Sequence, residues 1–103
     1  TGGYDHNYVL GRPGEKKIMA NAYCRESGIA LEAATDCCGV QFYAGNFIGE
    51  QTGKGGAAYH DRSAFCLESQ FYPNAVNEPV FPSQVVKAGD TYHTETSYRF
   101  YLR

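Results

Sequence analysis

Several things are scarce in this 103-residue chain, and each scarcity removes a class of function. Positive charge is not in excess: nine Lys and Arg against eleven Asp and Glu give a net charge of -2. Nucleic acids and anionic membranes are bound through basic surfaces, so neither is expected as a partner. No apolar run approaches the roughly 20 residues that span a bilayer, and no basic stretch leads into an apolar one, so a soluble chain is expected. The four cysteines, Cys24, Cys37, Cys38 and Cys66, include no Cys-x-x-Cys. Their spacing gives neither a disulfide framework nor a zinc site. Free thiols in a reducing compartment are the expectation, and the lack of an Asn-x-Ser/Thr acceptor agrees with a cytoplasmic setting. His6, His60 and His93 stand in three separate contexts without ligand spacing, so no metal site is expected. Gly53-Lys54-Gly55-Gly56 lacks the spacing of a phosphate-binding loop and has no helix after it.

What the chain does have is aromatic content of 15%, twelve glycines and short apolar runs at turn-sized intervals. That combination predicts an all-β chain, one domain or part of one, with no internal boundary in 1–103. No segment keeps a helical period. Lys17 to Cys24 and Ile29 to Thr35, separated by Arg25-Glu26-Ser27-Gly28, predict a β-hairpin. Val40 to Tyr43 predicts a further short strand, with Gln41 and Tyr43 on the face opposite Val40 and Phe42. Asn46 to His60 has four glycines and no period, and is expected to be a long surface loop. Three prolines between Tyr72 and Pro82 predict an ordered irregular segment. The clearest strand is the last, with Tyr92, Thr94, Thr96, Tyr98, Phe100 and Leu102 on one face and His93, Glu95, Ser97 and Arg99 on the other. Tyr4-Asp5-His6-Asn7-Tyr8 is a polar cluster inserted into what would otherwise be a strand.

One stretch stands out chemically. In Ala64-Phe65-Cys66-Leu67-Glu68-Ser69-Gln70, alternation puts Phe65 and Leu67 on one face and Ala64, Cys66 and Glu68 on the other. Glu68 thus has small neighbours, which leave room for a ligand. A partly desolvated carboxylate at such a strand end is a candidate general base. The plainer alternative is that Glu68 marks where the strand meets water, the commoner role of a lone Glu. Tyr43, Phe71 and Tyr72 suit either a small β core or stacking against a sugar ring, and core is the better reading on residue chemistry alone.

Taken together, Gly3-Tyr4-Asp5-His6-Asn7-Tyr8, Gly39-Val40-Gln41-Phe42-Tyr43 with Gly45-Asn46-Phe47, Gly53-Lys54-Gly55-Gly56, Phe65-Cys66-Leu67-Glu68-Ser69-Gln70, and Pro73-Asn74-Ala75-Val76-Asn77 with Phe81-Pro82-Ser83 closely resemble the C-terminal third of the aldose 1-epimerase, or galactose mutarotase, family. The resemblance implies an antiparallel β-sandwich that is part of a larger supersandwich, binding an aldohexose such as galactose or glucose. It implies interconversion of the α and β anomers: a Glu takes the C1 hydroxyl proton, a His protonates the ring oxygen, and the opened aldehyde recloses on its other face. No metal or organic cofactor is implied. By motif, Glu68 takes the place of the catalytic base, while Asp5 and Gln41 take those of sugar-binding residues. His6 is assigned a packing or orienting role. The family's acid His, a second pocket His and a sugar-binding Arg fall upstream of this segment's motifs, so the resemblance implies a missing N-terminal part of the domain, or a second chain, as partner. The alternative is a non-catalytic carbohydrate-binding module or an inactive fragment.

Overall fold

Glycine-marked turns separate runs in which polar and apolar residues alternate with period two, and each such run is a strand. The computed structural model describes residues 2–103. Its strands are Asp5–Val9 (β1), Lys17–Tyr23 (β2), Ile29–Thr35 (β3), Gly39–Tyr43 (β4), Gln51–Thr52 (β5), Ala58–Tyr59 (β6), Cys66–Gln70 (β7) and Thr96–Leu102 (β8). Single turns of 3-10 helix occur at Lys54–Gly56 and Ala75–Asn77. No helix among the described residues is long and apolar enough to cross a membrane. The all-β, antiparallel expectation therefore holds. One sheet has the order β1-β4-β7, a second β2-β3-β8, and β5 pairs with β6, every pairing being antiparallel.

The expected hairpin is β2-β3, closed by Gly28 N–H to Cys24 O at 2.9 Å and Cys24 N–H to Ile29 O at 3.0 Å. Its ladder slips by one residue between Ile18 and Ala20. Met19 is the extra residue at this bulge, and its side chain turns into the space between the sheets.

Three expectations need correcting. The polar cluster at Asp5 to Asn7 does not interrupt a strand; it is part of one, because every residue from Asp5 to Val9 pairs with β4. The loop expected over Asn46 to His60 holds the β5-β6 hairpin, closed by Gly53 N–H to Ala57 O at 2.7 Å. A Cβ at Gly53 would lie 2.0 Å from the Tyr59 ring, so the glycine lets an aromatic pack against the turn, a contact with no period to reveal it. The last strand starts at Thr96, not Tyr92. The reason is Asp36, whose Oδ1 accepts the Glu95 backbone N–H at 2.9 Å and the Thr94 hydroxyl at 2.7 Å. A side chain thus takes the donor that a continuing ladder would need.

The two larger sheets face each other and are joined by hydroxyls. Ser69 of β7 meets Thr96 of β8 at 2.7 Å, and Thr96 meets Thr35 of β3 at 3.0 Å. The Thr35 hydroxyl also accepts the Cys37 N–H at 3.1 Å. Two residues from Ser69, the Leu67 carbonyl accepts the Tyr98 hydroxyl at 2.9 Å. Cys37 and Cys38 are buried, and all four cysteines are free. Since the Thr94 hydroxyl gives its proton to Asp36, the Cys37 thiol, 3.1 Å away, is the donor in their contact.

This core is thin. The buried apolar residues among those described are Ala30, Ala33, Cys37, Cys38, Val40 and Ala75, mostly small side chains. Beside them the sheets part into an apolar cleft of about 520 Å³, lined by Tyr8, Met19, Ala22, Val40, Phe42 and Leu67 among others. Phe100 and Leu102, on the apolar face of β8, are 68% and 81% exposed. The radius of gyration is 16.3 Å, where a closed domain of this length has about 13 Å. The accessible surface is 7519 Å², against about 5,700 Å² for a folded monomer of this mass. The chain thus leaves more surface uncovered than a closed monomer of its size.

The Asp36 contacts predict how stability follows pH. The Thr94 hydroxyl first, then the Glu95 amide, hold the Asp36 carboxyl below its ordinary value of 3.8. A depressed carboxyl stabilises the fold above that ordinary value, and the contribution is lost as pH falls through the lower folded-state value. Asp36→Asn is therefore expected to lower the urea midpoint at about pH 7 and to match the parent more closely near pH 3. Equal gaps at both pH values would show that the carboxylate does not anchor this junction.

Candidate functional site

The register of β1, β4 and β7 decides which side chains share a face. Asn7 lies opposite Gln41, and Gln41 opposite Glu68, so the three form one row across the sheet. The next row is Asp5, Tyr43 and Cys66. With strands about 4.8 Å apart and a rise of about 3.4 Å per residue, the Asp5 and Glu68 Cα atoms are roughly 12 Å apart. On this outer face the two carboxylates flank a patch of sheet with Gln41 between them. The three residues singled out from the sequence are thus brought to one face.

Each is held by a local device. The Tyr4 carbonyl, just before Asp5, accepts both the Ala44 N–H and Asn46 Nδ2, each at 2.9 Å, which fixes the entry to β1. Asp5 Oδ1 then accepts Gln41 Nε2 at 2.8 Å. Glu68 is flanked by the two residues tied to β8, Leu67 through its carbonyl and Ser69 through its hydroxyl. Because those bonds run to the inner side of the sheet, the Glu68 side chain is left on the outer one, exposed. It makes no ion pair; among the described residues the salt bridge is Lys16–Glu95, elsewhere on the molecule.

The opposite face of the same sheet presents Val40, Phe42 and Leu67 to the apolar cleft. That cleft is therefore separated from Glu68 by the thickness of the sheet. It belongs to the incomplete core, not to the polar row.

The histidines stand apart from that row. His6 points to the other face from Asp5; its Nδ1 accepts the Asp5 backbone N–H at 3.1 Å and its ring meets Tyr4 edge-on at 5.8 Å. His60 lies in the turn after β6, bonded to Asp61 O and, through its backbone, to Ser63. His93 is exposed in the segment before β8. Of the aromatics weighed as a stacking group, Tyr72 packs on Phe81 with ring centroids 5.2 Å apart. Burial beside Cys38 pushes the Tyr72 phenol up. Tyr43 is on the row's face, its hydroxyl accepting the Phe47 N–H at 2.8 Å.

Two residues of the row's surroundings escaped the sequence reading. Asn7 was visible only as part of a motif; recognising β1 as a strand would have placed it beside Asp5 by alternation. Gly39 has extended backbone, so its small size is needed for space: a Cβ there would lie 3.1 Å from both Asn7 Oδ1 and the Tyr72 ring. Chemically, the face offers carboxylate acceptors and amides, and among the described residues no salt bridge neutralises Asp5 or Glu68. Such a surface suits a neutral polyhydroxylated ligand better than an anionic one.

Comparison with known proteins agrees with this chemistry. Residues 1–99 match the family described as aldose 1-epimerase. Galactose mutarotase of Sus scrofa is 46% identical over 99 residues, and that of Homo sapiens 44%. Aldose 1-epimerase of Escherichia coli K12 is 34% identical over 101 residues. Each alignment covers 95% of this chain but 29% of the relative. The chain thus spans under a third of the length of the curated relatives it matches, and with nearly all of its residues inside the matched region, it belongs to the aldose 1-epimerase family.

Proposed function

We propose that this chain supplies the base and one sugar-binding side of an aldose 1-epimerase site acting on aldohexoses such as galactose and glucose. The observation that supports this best is the Glu68–Gln41–Asp5 arrangement: three groups on one face, with an exposed Glu68 carboxylate that forms no salt bridge among the described residues. In this reading Glu68 takes the proton from the C1 hydroxyl as the ring C1–O5 bond breaks, and returns it after the aldehyde has turned. Asp5 and Gln41 hold hydroxyls away from the reacting carbon, which keeps C1 within reach of Glu68. Ring opening then needs an acid at the ring oxygen. His6 is on the other face and neither His60 nor His93 lies in the sheet, so in this reading the acid comes from outside residues 1–103. Proton transfer of this kind calls for no metal or organic cofactor. The four free thiols fit a reducing, cytoplasmic setting.

The same reading gives the chain a partner: the N-terminal part of an epimerase domain, or a second chain, laid over the apolar cleft and the bare face of β8. The surplus surface described above supports it.

Two measurements check these statements. In the intact gene product, polarimetry on freshly dissolved α-galactose is expected to show Glu68→Gln slowing mutarotation by roughly 10²- to 10⁴-fold, the usual worth of a general base. A variant as fast as the parent would remove Glu68 from the mechanism, and saturable galactose binding without anomer exchange in the parent would make the protein a sugar-binding module. Residues 1–103 by themselves are expected to bind the dye ANS and to gain mass with concentration in sedimentation. A dye-free monomer would show that the cleft needs no cover.

A further inference from the structure

Gln41 is paired on both sides, and its neighbour away from Glu68 is Asn7. Asn7 Nδ2 and Gln41 Oε1 are both shut off from solvent, and neither has a hydrogen-bond partner among the described residues. One is a donor and the other an acceptor. They belong to directly opposed residues of one face, whose Cβ atoms are about 5 Å apart. The other end of each amide is accounted for: Gln41 Nε2 donates to Asp5 Oδ1 at 2.8 Å, and Asn7 Oδ1 lies over Gly39, in the space that a Cβ would take. Unpaired polar atoms in such shielded places are rare, and two complementary ones on facing residues satisfy each other by a small side-chain turn.

We propose that Asn7 is a positioning residue for the sugar-binding groups, its Nδ2–H donating to Gln41 Oε1 and so fixing which way the Gln41 amide faces. A free glutamine amide can rotate by half a turn. The rotated form would set Oε1 against the Asp5 carboxylate, two acceptors face to face, and would set Nε2 against Asn7 Nδ2, two donors face to face. With Asn7 in place, only the orientation that bonds Asp5 is paired at both ends. The chain Asn7–Gln41–Asp5 aligns a hydroxyl-binding surface before a ligand arrives. Asn7, shielded at its amide nitrogen, acts through Gln41 rather than on the sugar. This inference rests on the reading of Asp5 and Gln41 as sugar ligands.

The test uses the intact gene product, galactose kinetics by polarimetry, and ¹⁵N–¹H spectra of the Gln41 side-chain amide. Asn7→Asp keeps the shape and loses the donor. It is expected to raise KM for galactose roughly tenfold, the effect of one lost hydrogen bond, with kcat within about twofold. It should also move the Gln41 Nε2 proton resonances. Asn7→Ala is expected to raise KM in the parent but to change nothing further in a Gln41→Ala background, where no amide is left to orient. Equal effects of Asn7→Ala in both backgrounds, or Gln41 resonances unmoved by Asn7→Asp, would overturn the proposal. Should Asn7→Asp fail to fold, the paired Asn7→Ala comparison decides alone. If the parent shows no anomer exchange, the epimerase reading is what fails. The Gln41 resonances then still decide whether Asn7 holds the amide.

Discussion

Strand β4 is hydrogen-bonded along both edges, and the order of the polar face depends on that double pairing. Side chains of a strand alternate between faces, so moving β4 by one residue against either neighbour would turn Gln41 towards the cleft and Val40 towards solvent. The fixed register instead places Asn7, Gln41 and Glu68 in line. The same alternation makes Leu67 and Ser69 inward residues, and both are tied to β8. The strand that presents the carboxylate is therefore clamped from behind, on either side of Glu68. If Glu68 is the base proposed above, this clamp matters to rate, because a small displacement of a catalytic group lowers rate steeply.

The two faces of the β1-β4-β7 sheet contribute to different things. The outer face is polar and, at Asp5, Gln41 and Glu68, already arranged. The inner face is apolar and only half covered: hydroxyl contacts hold one end of the sandwich together, while the other end opens into the cleft. Ala33, two residues from Thr35 on the same face of β3, is buried at the closed end. Larger side chains, Phe100 and Leu102 among them, sit where they touch least. In a self-sufficient small β domain the large side chains would be the core. Their exposure agrees with a chain that spans 29% of its relatives.

Polar side chains shape the site from below as well as from above. Asn46 pins Tyr4 ahead of Asp5, Asp36 ends the pairing ahead of Thr96, and Gly39 leaves space where Asn7 and Tyr72 converge. These are contacts between residues 32 to 59 positions apart, made by single atoms. They leave no periodic trace in the chain.

The sequence by itself determined the strand content, the β2-β3 hairpin, the opposite facing of Gln41 and Val40, and the isolation of Glu68 among small neighbours. All of these are local: alternation and turn chemistry act over a few residues, and so they can be read from a few residues. The motifs added the family. Only the tertiary structure decided that Asp5, Gln41 and Glu68 share one face, that Asn7 joins them, that His6 is turned away, and that the last strand begins at Thr96. Those outcomes depend on which strand lies beside which and in what register, a matter of pairing between distant segments that no local pattern encodes.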